Sequence, residues 1–389
     1  MDELRQAAVI GPNMIGSYGS WAASLSGEGP AAFSWRNPRW KDQDEWRAAA
    51  RRRFLERLAA PAAGEVPAAE VLGRLEWDGL EIEELSWRLP YGPPARGMIL
   101  KPAGAEGRLP GLLALHDHAG DKYFGFEKIS RSGAACHPLM AAHQERYYGG
   151  AAWANEAAKR GYLVLVPDAF AFASRRVLLA DVPESLRGGL VDPGRDDEPG
   201  IAAYNGWAGG HEAIMAKSLF CAGTTWPGLA LADDRAALDL LCARDDVDPS
   251  RVGCAGLSGG GLRTVLLGGS DDRVACAVCA GMMTTWRDFM LNKSWTHTWM
   301  IYPPLLAAEL DFPEILGLRV PLPTLVLNNT HDGLFTPGEM ERADSMLRET
   351  YGKAGADERY RCSFHPGPHK FDPAMQEEAF GWLDRWLKS

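Results

Sequence analysis

No stretch of the 389-residue sequence holds 18 or more consecutive apolar residues, so no membrane-spanning helix is expected. Basic residues are also in the minority: 41 Lys and Arg stand against 51 Asp and Glu, a formal net charge of −10. Binding to nucleic-acid phosphates needs a basic face, so this balance argues against a general nucleic-acid binder. The start, MDELRQAAVIGPN, lacks the basic region and apolar core of a secretory signal, and a cytoplasmic location is expected.

Cysteine is scarce as well, with seven residues scattered along the chain. An odd number of scattered cysteines indicates buried thiols in a reducing compartment rather than a disulfide framework. Cys276 and Cys279 have the spacing of a CxxC pair, but the segment RVACAVCAG resembles an apolar strand, in which they would face opposite sides. His116 and His118 could bind a metal ion only with further ligands, and none lies nearby in the sequence, so we predict no metal site. We also predict no organic cofactor.

Apolar residues make up 46% of the chain and charged residues 24%, as in ordinary globular proteins. Residues 1–75 are predicted to be an N-terminal extension with one amphipathic helix over 42–59, for which Asp44 is the expected N-cap. Residues 76–389 are predicted to be the catalytic domain.

Within that domain, apolar strand patterns such as YLVLV and PTLVL alternate with helical patterns. This alternation predicts an α/β fold with a central, mostly parallel β-sheet and helices on both faces. Two stretches, about 176–227 and 284–312, interrupt the alternation and are predicted to be long loops or lids.

The strongest chemical signal is a G-x-S-x-G motif, Gly256–Gly260, between a predicted strand and a predicted helix. Small residues permit a sharp turn that exposes the Ser258 hydroxyl. The helix that follows offers backbone N–H groups and a partial positive charge to a developing oxyanion. We therefore predict Ser258 as a nucleophile and the Gly259 N–H as one oxyanion donor.

A serine nucleophile needs a base and a carboxylate that orients the base. Asp332 directly follows the strand pattern PTLVLNNTH, and His369 follows the pattern RCSFHPGP. Both lie where the carboxyl ends of parallel strands meet a ligand. The sequence thus predicts a Ser258–His369–Asp332 triad.

Other residues compete for these two roles. His365 ends an apolar strand pattern and is expected to pack or cap, His331 is expected to point away from the site, and Asp372 is expected to cap the last helix. Glu339 and Glu341, on the helix after the predicted acid, remain alternatives to it.

A second oxyanion donor is expected in the loop His116–Gly120, which follows the strand pattern PGLLAL. By position we assign the backbone N–H of His118, with Ala119 as the next choice. The loop around 284–312 is rich in aromatic residues, and Trp286, Trp295 and Trp299 are predicted to line a substrate pocket.

The sequence resembles the α/β-hydrolase superfamily, in particular its dienelactone hydrolase-like and acetyl xylan esterase-like branch. The matching segments cover roughly residues 75–389 in the family's order: LALHDHAGDK, YLVLVPDAFAFASR, DDRAALDLLCARDDVDPSRVGCAGLSGGG, PTLVLNNTHDGLFTP and FHPGPHKFD. The resemblance implies the α/β-hydrolase fold and places Asp168 and Arg175 in a structural turn. Dienelactone hydrolases proper use cysteine, whereas Ser258 favours ester hydrolysis.

The function expected from these observations is a serine carboxylester hydrolase that acts through an acyl-enzyme on short-chain, acetyl esters of small molecules, carbohydrates among them. One alternative is a serine peptidase of the prolyl-oligopeptidase type, for which the 75 N-terminal residues are too few to form the usual propeller. The other is a catalytically inactive binding protein with the same fold. Both a monomer and a homo-oligomer fit the sequence.

Overall fold

The computed structural model describes residues 11–27, 29–62 and 64–388. Most of the segment from which a signal was predicted to be absent, residues 1–10, lies outside the described residues. Among the described residues, no helix combines the length and the apolar character that crossing a bilayer requires.

A nine-stranded sheet forms the centre of the described chain. Its strands are β1 Ala69–Trp77, β2 Leu80–Trp87, β3 Ala95–Pro102, β4 Leu109–Leu115, β5 Leu163–Pro167, β6 Val247–Leu257, β7 Val274–Ala280, β8 Thr324–Asn329 and β9 Tyr360–His365. Their spatial order is β1-β2-β3-β5-β4-β6-β7-β8-β9. The first three pairings from β1 to β5 are antiparallel, and the six strands from β5 to β9 are mutually parallel.

Twelve α-helices occur in the described residues: α1 Gly19–Leu25, α2 Gln43–Leu58, α3 Pro138–Tyr148, α4 Trp153–Lys159, α5 Glu184–Arg187, α6 Glu198–Cys221, α7 Trp226–Cys242, α8 Gly259–Ser270, α9 Trp286–Asp288, α10 Phe312–Gly317, α11 Pro337–Lys353 and α12 Pro373–Leu387. One buried apolar cluster joins the sheet to α2, α7, α8, α10 and α11, and a second joins its other face to α4 and α12. The predicted fold class, a mostly parallel sheet covered on both faces, is confirmed.

The two cores also explain the CxxC spacing in β7. Cys279 packs in the first cluster and Cys276 in the second, so the two thiols lie on opposite faces of the sheet. Burial raises the pKa of Cys276 to about 12, which keeps this thiol protonated. Both cysteines therefore act as small core residues.

The N-terminal part differs from the prediction in two respects, the N-cap of its helix and the presence of a second helix. The N-cap of α2 is Asp42, whose carboxylate accepts hydrogen bonds from Asp44 N (2.9 Å) and Glu45 N (2.8 Å), so the assignment of Asp44 was wrong by two residues. The short helix α1 precedes it. The predicted division between residues 75 and 76 falls within strand β1 and stays a prediction.

The stretch 176–227 is not the irregular loop that its glycines suggested, since it contains the 24-residue helix α6. Asp197 caps α6 by accepting a hydrogen bond from Gly200 N (3.0 Å). Residues at helical spacing, Ile201, Tyr204 and Ala208, are buried on one face. Their packing outweighs the low helix propensity of glycine. The stretch 284–312 does consist of short turns, as expected.

Candidate active site

Ser258 occupies a strained turn between β6 and α8. Its backbone has φ +57° and ψ −115°, a left-handed conformation that non-glycine residues rarely adopt. The turn approaches β4 so closely that a Cβ atom at Gly256 would lie 2.5 Å from Leu115 O, and one at Gly260 would lie 2.0 Å from the same atom. Glycine is therefore required on both sides of the serine.

The predicted acid and base meet at the ends of β8 and β9. His369 Nδ1 lies 2.6 Å from Asp332 Oδ2, and Asp332 Oδ1 accepts a hydrogen bond from Leu334 N (3.0 Å). The Asp332 carboxylate is buried. This contact assigns the Nδ1 proton of a neutral His369 ring to the side of the carboxylate and leaves Nε2 free to accept a proton.

The competing residues have other partners. His365 Nε2 lies 2.8 Å from a carboxylate oxygen of Glu378, and Asp372 caps α12 by accepting a hydrogen bond from Met375 N (3.1 Å). Glu339 accepts a hydrogen bond from the Thr285 hydroxyl (2.5 Å). These contacts leave Asp332 as the carboxylate beside His369.

Ser258 and His369 line one pocket of about 380 Å³. Its walls combine polar groups with apolar side chains, among the latter Met282, Met300, Ile301 and Leu334. Within the described residues the Ser258 hydroxyl makes no hydrogen bond to the ring. Catalytic contacts of this kind are commonly long without substrate and shorten in the complex.

The predicted oxyanion donors lie side by side. A Cβ atom at Gly259 would lie 2.8 Å from the backbone nitrogen of His118, so the two main-chain segments are in contact at the pocket. The His118 ring accepts a hydrogen bond from Gly120 N at Nδ1 (2.9 Å), which assigns the proton of the neutral ring to Nε2. Burial and the nearby Lys122 charge lower the pKa of His118 to about 4.

Glu212 is a pocket residue that the sequence reasoning missed. From α6, its Oε1 lies 2.8 Å from His118 Nε2 and 2.6 Å from Lys122 Nζ, while Oε2 accepts a hydrogen bond from the Thr298 hydroxyl (2.7 Å). Burial alone would raise its pKa, but the hydrogen bond from His118 and the Lys122 charge outweigh burial and lower the pKa to about 2. The only available signal was its helical spacing from apolar Ala208 and Ala216.

Of the three predicted pocket tryptophans, only Trp295 lines the pocket, with 74% of its surface exposed. Trp286 is instead a core residue: its indole N–H donates to Leu310 O (3.0 Å) and its ring packs against Phe312. Trp299 lies outside the pocket lining. The predictions for Trp286 and Trp299 were wrong because sequence spacing does not reveal which side of an irregular segment faces inward.

The turn after β5 has the structural role that the resemblance implied. Asp168 accepts hydrogen bonds from Phe126 N (2.9 Å) and from the Ser174 hydroxyl (2.7 Å), and burial raises its pKa to about 6. Arg175 Nε lies 3.1 Å from Asp233 Oδ2 and is buried. Neither residue lines the pocket.

The chain is similar to several known proteins. The prolyl oligopeptidase family matches residues 224–388, less than half of the chain. The "Putative hydrolase YtaP" of Bacillus subtilis is 26% identical over 344 residues, which cover 87% of this chain and 99% of that protein. A solved structure of a "putative acetyl xylan esterase" from Bacteroides fragilis is similar to this one, with a TM-score of 0.67 and 17% identity. The match covers 93% of this chain and 84% of the Bacteroides chain.

The chain has the α/β-hydrolase fold. The glucuronoyl esterase from Solibacter usitatus has the same α/β-hydrolase fold, with a TM-score of 0.62 and 16% identity over 92% of this chain and 97% of that one. The predicted resemblance to the α/β-hydrolases is thereby confirmed for the fold, and the structures that share it include the putative acetyl xylan esterase.

Proposed function

We propose that the protein is a serine carboxylester hydrolase with Ser258, His369 and Asp332 as its catalytic residues. The observation that carries the proposal is the 2.6 Å contact between His369 Nδ1 and Asp332 Oδ2, at the pocket that the Ser258 turn enters. A serine on a strained strand-to-helix turn, a histidine and a buried carboxylate are the groups that acyl transfer needs.

In this mechanism Ser258 Oγ attacks the ester carbonyl while His369 Nε2 takes the hydroxyl proton. The tetrahedral intermediate forms with its oxyanion at the N–H groups of Gly259 and His118. It collapses as His369 passes the proton to the departing alkoxide, which leaves as the alcohol. Water then attacks the acyl-enzyme with His369 as base, which releases the acid and restores Ser258.

We propose short acyl groups, acetyl in particular, and a carbohydrate as the alcohol part of the substrate. A pocket of about 380 Å³ lies near the small end of ligand pockets, which span about 300–1,000 Å³. The exposed Trp295 at this pocket offers a flat apolar surface to a sugar ring. One structural neighbour is a putative acetyl xylan esterase, and an acetyl ester of a carbohydrate agrees with that name.

The test is hydrolysis of 4-nitrophenyl esters from acetate to octanoate by the wild type, Ser258→Ala and the control Ser345→Ala, whose exposed serine lies on α11. We expect acetate to be the best substrate, and Ser258→Ala to lose several orders of magnitude in kcat while Ser345→Ala keeps it. Full activity of Ser258→Ala would refute the triad, and faster octanoate hydrolysis would refute the acyl preference.

A peptidase activity is the second candidate, because the family match over residues 224–388 is to prolyl oligopeptidases. It uses the same three residues on an amide, so Ser258→Ala does not separate the two. The two activities can be separated with two substrates that share one acyl group, a 4-nitrophenyl ester and a 4-nitroanilide. Cleavage of the anilide at a rate comparable with the ester would favour the peptidase; no cleavage of either would favour the inactive binding protein.

A further inference from the structure

A buried ammonium group lies behind the loop that carries the second oxyanion donor. The side chain of Lys128 is wholly inaccessible to solvent. Its Nζ atom donates hydrogen bonds to three backbone oxygens of one loop: Asp117 O (2.9 Å), His118 O (3.0 Å) and Asp121 O (2.7 Å). An ammonium group has three donors, so the loop satisfies it completely.

These contacts determine where the N–H groups of the loop point. In a trans peptide the C=O and N–H bonds of one peptide unit point in opposite directions. Because Asp117 O and His118 O both point to the ammonium, the N–H groups of His118 and Ala119 point away from it. Within the described residues, neither N–H has a hydrogen-bond acceptor, and both residues line the pocket.

The loop does not adopt this conformation without cost. Ala119 has φ +44° and the following Gly120 has φ +71°. A left-handed backbone is unfavourable for alanine, because its Cβ atom then lies too close to the following carbonyl oxygen. The three charge-assisted hydrogen bonds from Lys128 to carbonyl oxygens of this loop stabilise the conformation.

We propose that Lys128 is a positioning residue that orients the backbone N–H of His118 towards the oxyanion by binding the carbonyl oxygens on the other side of the same peptide units. The inference rests on the proposed function, since it assumes an ester carbonyl at Ser258. A cation at a carbonyl oxygen also polarises the peptide unit, which makes its N–H a stronger donor.

The charge of this ammonium is balanced within the same region. Asp117 Oδ2 lies 3.9 Å from Lys128 Nζ, and the Phe172 ring centroid lies 4.8 Å from it. The Asp117 carboxylate is in turn held by His143 Nε2 (3.0 Å) and the Tyr148 hydroxyl. The attraction of these partners offsets the cost of burying the charge.

The other buried lysine near the loop has a different role. Lys122 Nζ pairs with the Glu212 carboxylate at 2.6 Å and approaches the ring of His118 at Nε2 (3.2 Å), without binding the carbonyl oxygens of the loop. Each of the two carbonyl oxygens also has a second donor, since His116 Nδ1 lies 2.9 Å from Asp117 O and Asp121 N donates to His118 O (3.1 Å). Removal of Lys128 would therefore loosen these peptide units, and it would leave the Glu212 contacts in place.

The test compares Lys128→Met with Lys353→Met in the full chain. Lys353 also donates to three backbone oxygens, those of Trp35 (2.5 Å), Asn37 (3.2 Å) and Trp40 (2.9 Å), but in the N-terminal region and outside the pocket. For Lys128→Met we expect kcat on 4-nitrophenyl acetate to fall about 100- to 1,000-fold, the usual effect of losing one oxyanion donor, with KM within about threefold. Lys353→Met should keep kcat within about twofold, whatever its melting temperature.

A trifluoromethyl ketone, which forms a tetrahedral oxyanion with the serine, provides a second readout. Its Ki should rise in Lys128→Met by the same factor as kcat falls, whereas the Ki of the matching methyl ketone should not change. Equal weakening of both ketones, or an unchanged kcat, would overturn the inference.

Two further results separate the possible failures. If Lys128→Met does not fold, Lys128→Gln, which keeps two N–H donors without the charge, takes its place, and failure of both to fold would overturn the positioning role in favour of a purely structural one. If wild type hydrolyses no ester and Ser258→Ala binds the trifluoromethyl ketone as tightly as wild type, the proposed function fails. If those controls behave as proposed and Lys128→Met stays fast, only the inference fails.

Discussion

Glu212 Oε1 lies 2.8 Å from His118 Nε2, and this contact joins helix α6 to the loop of the proposed second oxyanion donor. The other carboxylate oxygen accepts the Thr298 hydroxyl, so a third segment is attached to the same side chain. One carboxylate thus connects three segments that are far apart in sequence at one wall of the pocket. Its removal should therefore affect both stability and activity.

We expect Glu212→Gln to lower the free energy of unfolding by about 3–5 kcal/mol, because it leaves the buried Lys122 ammonium without its counter-ion. The ester-hydrolysis rate should fall as well, since His118 loses a partner that fixes its loop. Urea denaturation and 4-nitrophenyl acetate kinetics measure the two effects. Glu198→Gln, an exposed change on the same helix, is the control and should alter neither by much.

The lowered pKa of His118 makes stability depend on pH. The folded protein takes up this proton only near pH 4, whereas the unfolded chain does so near the usual value of 6.5. As the pH falls from 7.5 to 5, the unfolded state gains the proton first, so this ring should cost about 2 kcal/mol of stability. His118→Gln removes that contribution.

Denaturation of the wild type and of His118→Gln at both pH values isolates the effect. Two buried carboxyls, Asp168 and Asp311, have pKa values raised to about 6 and act in the opposite sense, but they are present in both proteins and cancel in the difference. An equal pH dependence of the two proteins would contradict the prediction.

The contact between Gly259 and the His118 nitrogen leaves no room for a side chain. A Cβ atom there would lie 2.8 Å from that nitrogen, so Gly259→Ala should separate the two oxyanion donors and lower kcat by at least about tenfold. Gly206→Ala is the matched control: it lies in the interior of α6 with no atom within 4 Å of the added methyl group. It should stabilise the protein by about 0.5–1 kcal/mol without changing kcat.

Trp295 should matter for a sugar and not for a small synthetic ester. We expect Trp295→Ala to raise KM for an acetylated xylo-oligosaccharide at least about fivefold, because the apolar platform is lost, and to leave 4-nitrophenyl acetate hydrolysis within about twofold. Trp299→Ala, in the same segment but outside the pocket, should change neither value. The measurement is KM and kcat of each variant on both substrates. An unchanged KM for the sugar ester in Trp295→Ala would argue against a sugar bound beside Trp295.

The residues of the proposed triad could be found in the sequence because each follows a recognisable strand. The G-x-S-x-G turn depends on local sterics, and the strands before Asp332 and His369 are nearly continuous apolar runs. Parallel strands bring such residues to one edge of the sheet. The contact of His369 with Asp332, across 37 residues, follows from that rule alone.

The surroundings of the proposed triad depend on contacts that no local pattern encodes. Glu212 meets His118 across 94 residues, and it does so from a helix whose glycines suggested a loop. Trp286 and Trp295 stand in one irregular segment, yet one packs into the core and the other lines the pocket. Tertiary packing, not residue type, determines these outcomes.

The loop held by Lys128 has a practical consequence for altering specificity. Its carbonyl oxygens, rather than the side chain of Ala119, hold the main chain, and the Ala119 methyl group is exposed at the pocket. A side chain introduced there would reshape the space around the acyl group without removing a hydrogen bond. Its φ of +44° admits Gly, Asn and Asp more readily than Val, Ile or Thr, so a directed-evolution library at this position should begin with those three.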